Sequence, residues 1–176
     1  MSMAGVYTEA SKELIESLKG KSEEDLFDYL EEIAEDMESN SDCDVDKLWQ
    51  GIHFLLTGET DPIDGDPISE FVFGTETFID GEYDDYIAYI FPKDIQRVVD
   101  AVSKIDIDRL PEKFDPEKFA KADVYPNIWM RDDRNELAEM LKETFTDMLR
   151  FYQKVLVDGN GIIVSIYYFP NTIYNY

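Results

Sequence analysis

Helical runs broken by a few short strands predict an α+β fold: one domain, with a small sheet of a few strands covered by several helices. Three observations carry this. Asn135 to Val157 repeats apolar residues at helical spacing. Gly159-Asn160-Gly161 stops that run and turns it into Ile162 to Phe169, the clearest strand composition in the chain. Tyr86 to Ile90 has the composition of a second buried strand, and no repeat or linker divides residues 1–176.

The elements follow in order. Ala4 to Tyr7 reads as a first short strand. Ser11 opens a helix with Leu14, Ile15 and Leu18 on one face, and Gly20 ends it. Ser22 and Asp25 have the spacing of a capping box for a second helix, whose stripe is Leu26, Leu30, Ile33 and Met37. Ser39 to Asp44 is expected to be a polar loop. Asp46 is expected to cap a third helix that runs to Thr57 and stops at Gly58. Asp61-Pro62 and Asp66-Pro67 mark turns, and Ile68 to Phe73 is apolar without a clear period. Pro92 suits the first turn of a helix lined inward by Ile95, Val98, Val99 and Val102. Asp108 to Lys121 predicts short helical turns, one of them capped by Asp115 before Pro116. The expected core includes Trp49, Phe54, Leu55, Ile90, Val98, Leu149 and Ile163.

At 176 residues the chain is long enough for a core without metal or disulfide support. Eleven Phe, eleven Tyr and two Trp supply the large side chains for it. The single cysteine, Cys43, has no partner within the chain, which fits a reducing compartment. The opening residues Met1 to Leu14 lack the basic and apolar regions of a signal peptide, and no apolar run reaches the length of a membrane span. The expected location is cytoplasmic, away from membranes. Net charge is −24, and it is unevenly spread. From Ser22 to Pro92 there are 22 Asp and Glu and one Lys, Lys47, whereas twelve of the 16 Lys and Arg lie from Lys93 onward. Such a field repels nucleic acid and steers basic partners inward.

The run from Asp46 to Gly58, Asp46-Lys47-Leu48-Trp49-Gln50-Gly51-Ile52-His53-Phe54-Leu55-Leu56-Thr57-Gly58, resembles the signature helix of the YfbM-like family of uncharacterised bacterial proteins. The opening Met1 to Tyr7 is similar to that family's start. So are Asp66-Pro67-Ile68-Ser69, the Tyr125-Pro126 pair followed by Trp129, and the closing helix, turn and strand. The resemblance covers nearly the whole chain and implies a compact α+β domain. It brings no catalytic residues, cofactor or partner with it.

Asp46, Trp49, His53 and Thr57 recur at helical spacing and share one face of the expected helix. Together with Tyr125 and Trp129 they form the candidate binding set. A carboxylate, indole, imidazole and hydroxyl in a row suit stacking and hydrogen bonding to a small ligand. The same face also reads as structure: a cap, a core indole and an imidazole bonded to a backbone carbonyl.

Other motifs fail on inspection. One His and one Cys cannot form a zinc cage, and no metal or cofactor is expected. A Cys43–His53 dyad is disfavoured because Asp42 and Asp44 flank the thiol. Asp42, Asp44 and Asp46 alternate as in a calcium loop, but Lys47 and His53 stand where glycine and glutamate are required. Gly20-Lys21-Ser22 lacks the earlier glycine of a phosphate loop, since position 15 is Ile15. No catalytic set is recognisable. The leading expectation is a non-catalytic protein whose acidic surface engages a basic protein, in an immunity-like or inhibitory manner. The alternatives are an enzyme or small-ligand binder using the Trp49/His53 face, and a nucleic-acid mimic.

Overall fold

The sheet is built around its last strand. In the computed structural model, which describes residues 2–35, 42–80 and 85–169, β5 (Gly161–Phe169) pairs along its length with β1 (Ser2–Ala10), from Ser2 opposite Phe169 to Ala10 opposite Gly161. On its other side β5 pairs with β4 (Tyr86–Ile90), and β4 pairs with β3 (Glu76–Asp80). Beyond β1 lies β2 (Asp42–Asp46). The order is β2-β1-β5-β4-β3, antiparallel throughout.

Strand periodicity separates two cores. Tyr7, Ala88, Ile90, Ile162, Val164 and Ile166 face the larger one. The intervening Ile87, Tyr89 and Ile163 face a smaller one, closed by Ile15 and Leu18 of α1 (Lys12–Leu18) and Leu26 of α2 (Glu23–Glu35). Helix α1 starts as expected, with the Ser11 hydroxyl accepting from the Leu14 N–H at 3.2 Å. Ser22 accepts from Asp25 N–H, also at 3.2 Å, which is one half of a capping box. Met37 of the expected stripe lies outside the described residues.

The larger core is covered by α3 (Trp49–Thr57), α4 (Pro67–Phe73), α5 (Pro92–Val102) and α8 (Arg134–Asp158). A 3-10 turn at Ile107–Arg109 and the short helices α6 (Leu110–Lys113) and α7 (Pro116–Lys121) close one side. Asp115 caps α7 as expected. Helix α8 presents Leu137, Leu141, Phe145, Met148, Tyr152 and Val155 inward. The Tyr152 and Tyr7 hydroxyls donate to the carbonyls of Phe71 and Val72, tying α8 and β1 to the last turn of α4. Complete burial pushes both hydroxyls well above the ordinary tyrosine range. Of the expected core, Trp49, Leu55, Ile90, Val98, Leu149 and Ile163 are buried. Phe54 is half-buried, edge-on to Phe119.

One local expectation is corrected, and two elements are added that the sequence left open. Asp42 to Asp44 belong to edge strand β2, not to a polar loop, because Cys43 and Val45 alternate inward against the core. Residues 39–41 lie outside the described segments. Strand β3 was not foreseen; Phe78 and Ile79 pack half-buried against the smaller core. The apolar run at Ile68 to Phe73 is helical, opened by Asp66, whose carboxylate accepts from Ile68 N–H at 2.9 Å with Pro67 next in line.

Candidate functional site

Helix α3 does not begin as expected. Asp46 is no cap. It pairs with Gly5 as the last residue of β2, adopts φ 45°, and its N–H is held by Asp44 Oδ1 at 2.8 Å. The sheet edge therefore holds the Asp46 backbone, and the helix starts after Leu48, whose N–H donates to Val45 O. Leu48 supplies no side-chain cap. The far end stops as expected at Gly58, with φ 78° and its N–H on Phe54 O.

Trp49 faces inward and is 6 % exposed. A β-carbon at position 5 would lie 3.1 Å from Trp49 Cβ, so glycine in β1 makes room for the indole. The ring stacks on Tyr125 at 5.9 Å between centroids and meets Phe73 edge-on. Its buried Nε1 has no hydrogen-bond partner among the described residues.

One turn later His53 is fully buried. Nδ1 lies 2.8 Å from Glu59 O and Nε2 lies 2.8 Å from Ser69 Oγ. A carbonyl can only accept, so Nδ1 carries the proton and Nε2 accepts from the Ser69 hydroxyl. Ser69 Oγ in turn accepts from Ile63 N–H at 2.9 Å. Thr57 Oγ1 donates to His53 O at 2.8 Å and accepts from Glu59 N–H at 3.1 Å. This is a neutral clasp that pins the 59–66 turn and α4 to α3. Burial pulls the imidazole below its ordinary value; the Glu59 carbonyl and the charges of Asp66, Asp61 and Glu59 oppose that pull without overcoming it. The Ser–His pair superficially suits nucleophilic chemistry, but Ser69 is only 1 % exposed.

Trp129 packs in another part of the same core. It is buried, its Nε1 donates to Val124 O, and its ring sits against Phe114 and Phe119. A β-carbon at Gly51 would lie 2.6 Å from Trp129 Cη2, so this glycine sets how closely α3 approaches it. Tyr125 joins the two regions. Its N–H donates to Gln50 Oε1 and its hydroxyl accepts from Met3 N–H, both at 2.7 Å. Gln50 also donates to Thr60 O at 3.3 Å. Nothing in residue type alone singled out Gln50, Gly5 or Ser69; only Gln50's place beside Trp49 was a hint.

Of the six candidates, Asp46 and Tyr125 border an open space. A cleft of about 430 Å³ lies between the start of β1, the β2–α3 corner, the 125–128 loop and α8. Ser2, Asp46, Lys47, Leu48, Tyr125, Pro126, Ile128 and Met140 line it. Trp49 backs the Tyr125 ring. His53, Thr57 and Trp129 are not on its walls.

Cys43 is half-buried on β2, and its thiol is pushed up to about 12 by burial first, then by the charges of Asp147, Asp44 and Asp42. With both His53 nitrogens already engaged, the two do not form a nucleophile–base pair. Asp42, Asp44 and Asp46 extend along a strand instead of converging. Among the described residues no group of three or more His, Cys, Asp or Glu is placed to hold a metal ion. Nor is any helix long and apolar enough to cross a membrane.

The fold and this cleft define a class: an antiparallel five-stranded α+β domain with helices on both faces and a cleft where β1, the β2–α3 corner, the 125–128 loop and α8 meet. The chain belongs to the family described as a domain of unknown function (DUF1877), whose model matches residues 1–165. It is similar to the protein YfbM of Escherichia coli strain K12, 24 % identical over 169 residues that cover 94 % of this chain and 99 % of the relative. The crystal structure of YfbM from Escherichia coli, itself described as a protein of unknown function, shares the fold with a TM-score of 0.67 at 22 % identity. That match covers 93 % of this chain and 99 % of the other.

Proposed function

We propose that the chain is a non-catalytic binding protein whose acidic half engages a basic protein partner. One observation carries the reading. Among the described residues, no carboxylate from Glu23 to Asp66 takes part in an ion pair; the ion pairs lie at Glu9, Glu16, Glu70 and beyond. Glu24, Asp28, Glu31, Asp44, Glu59, Asp61 and Asp64 are exposed. Charge left unneutralised at the surface costs self-repulsion and is available to a partner of opposite sign. The non-catalytic part rests on His53 and Ser69, whose polar atoms are sealed and mutually satisfied.

The test begins with capture of partners from lysate at low salt and their release at high salt. Stopped-flow association of the captured partner then decides. Charge steering raises association rates by roughly 10- to 1000-fold at low ionic strength. Replacing Glu24, Asp28 and Glu31 of α2 by their amides should slow association and flatten its salt dependence, with little effect on dissociation. An association rate indifferent to salt and to these substitutions would overturn the proposal.

A further inference from the structure

The cleft beside α3 holds a charge that the rest of the molecule leaves unanswered. Lys47 is the only Lys or Arg between Ser22 and Pro92 in a chain with 40 Asp and Glu. It is half-buried in the cleft wall and makes no ion pair among the described residues. Asp46, next to it, is exposed, and its carboxylate is likewise outside every ion pair among the described residues. The same cleft has an apolar part in its lining, with Ile128 half-buried and Met140 43 % exposed. At about 430 Å³ the space falls within the range of small-molecule sites.

A lysine ammonium lining a cleft without a counter-charge favours an anionic group in its ligand. A plain anion, however, must approach against a net charge of −24. A cation alone would satisfy Asp46 and leave Lys47 as it is. A zwitterion meets both side chains and carries no net charge into the field. The apolar part of the lining then selects a ligand with an apolar body. We propose that this cleft binds a free α-amino acid with a bulky apolar side chain. Its carboxylate lies at Lys47, its ammonium at Asp46, and its side chain against Ile128 and Met140. This site is separate from the acidic-surface reading and survives its failure.

Isothermal titration of the full chain with phenylalanine, leucine and methionine tests the proposal. N-acetylphenylalanine lacks the ammonium, phenylalaninamide lacks the carboxylate, and glycine lacks the apolar body. At least one of the three amino acids should bind at millimolar concentration or below, and more tightly than any of the three controls. Lys47→Gln should weaken binding about ten- to a hundredfold, the loss expected for one charge-assisted hydrogen bond. Asp46→Asn should weaken it as well, and asparagine tolerates the positive φ at this position. Circular dichroism confirms that both variants fold. No heat with any of the three amino acids would overturn the proposal. So would equal binding of the acetylated or amidated compound, or unchanged affinity in a folded Lys47→Gln variant.

Discussion

The two ends of α3 handle polar atoms in opposite ways. At its C-terminal end the side-chain polar atoms of His53, Thr57 and Ser69 all have partners, and His53 and Ser69 are buried. At its N-terminal end Asp46 and Lys47 border a cleft and neither charge is paired among the described residues. An imidazole and an indole at helical spacing look like a site in one dimension. In three dimensions both are buried, the imidazole with both nitrogens bonded, and the open space lies instead beside Asp46 and Lys47.

The largest expected effect lies in the packing behind this helix. Trp129→Ala empties the space among Phe114, Phe119 and Gly51 and removes a donor to Val124 O. It should cost about 3–5 kcal/mol in urea denaturation. A cost under about 1 kcal/mol, the scale of an ordinary surface change, would show that α3 is not held where described.

A finer comparison uses phenylalanine at both tryptophans. Trp129→Phe removes one of the two donors to the Val124 carbonyl, which keeps the Asn127 N–H at 3.1 Å, while Trp49→Phe removes a buried N–H that has no partner among the described residues. Trp129→Phe should therefore be the more damaging by about 0.5–1.5 kcal/mol, the net worth of one hydrogen bond. Equal losses would mean that the Trp49 N–H finds a partner in solution.

The His53 clasp should register in pH dependence. Its folded value lies below the free-imidazole value of 6.5, so between the two the unfolded chain binds more protons than the folded one. The His53 contribution is thus complete above 6.5 and declines as pH falls toward the lowered value. The slope is at most about 1.4 kcal/mol per pH unit. In a His53→Gln variant that part of the acid sensitivity should vanish, leaving only the slope of the carboxylates.

The smallest effect is expected at the free end. Lys47→Gln should change stability by less than about 0.5 kcal/mol, because no ion pair is lost. A large loss would mean that Lys47 has a partner and that the contrast between the two ends is false.

Much of this fold was legible in the chain. Ser11, Asp115, Pro92 and Gly159 mark helix ends by local chemistry, and local chemistry decides there. The apolar stripe of α8 and the strand after it are long enough for their period to be read. Edge strands β2 and β3 were not legible: Asp-Cys-Asp-Val-Asp has poor strand composition, Glu-Thr-Phe-Ile-Asp offers only three strand formers between acids, and both are held by the neighbouring strand. Asp46 was misread for the same reason: tertiary pairing with Gly5 overrides a good capping residue. Spacing placed Trp49 and His53 on one face correctly. The reading of this face as a core indole and an imidazole bonded to a backbone carbonyl is what the structure shows, but the particular closing groups, Ser69 and the Glu59 carbonyl, come from later in the chain and were not legible.

His53 is the chain's single histidine, so its imidazole signals in nitrogen-15 NMR need no assignment. A titration of those signals tests the contrast between the two ends of α3 most directly. The expected result is a neutral ring protonated on Nδ1, with a midpoint below 6.5. A ring protonated on Nε2, or one that titrates at or above 6.5 as a solvated imidazole does, would contradict it and return the Trp49/His53 face to candidacy as a site.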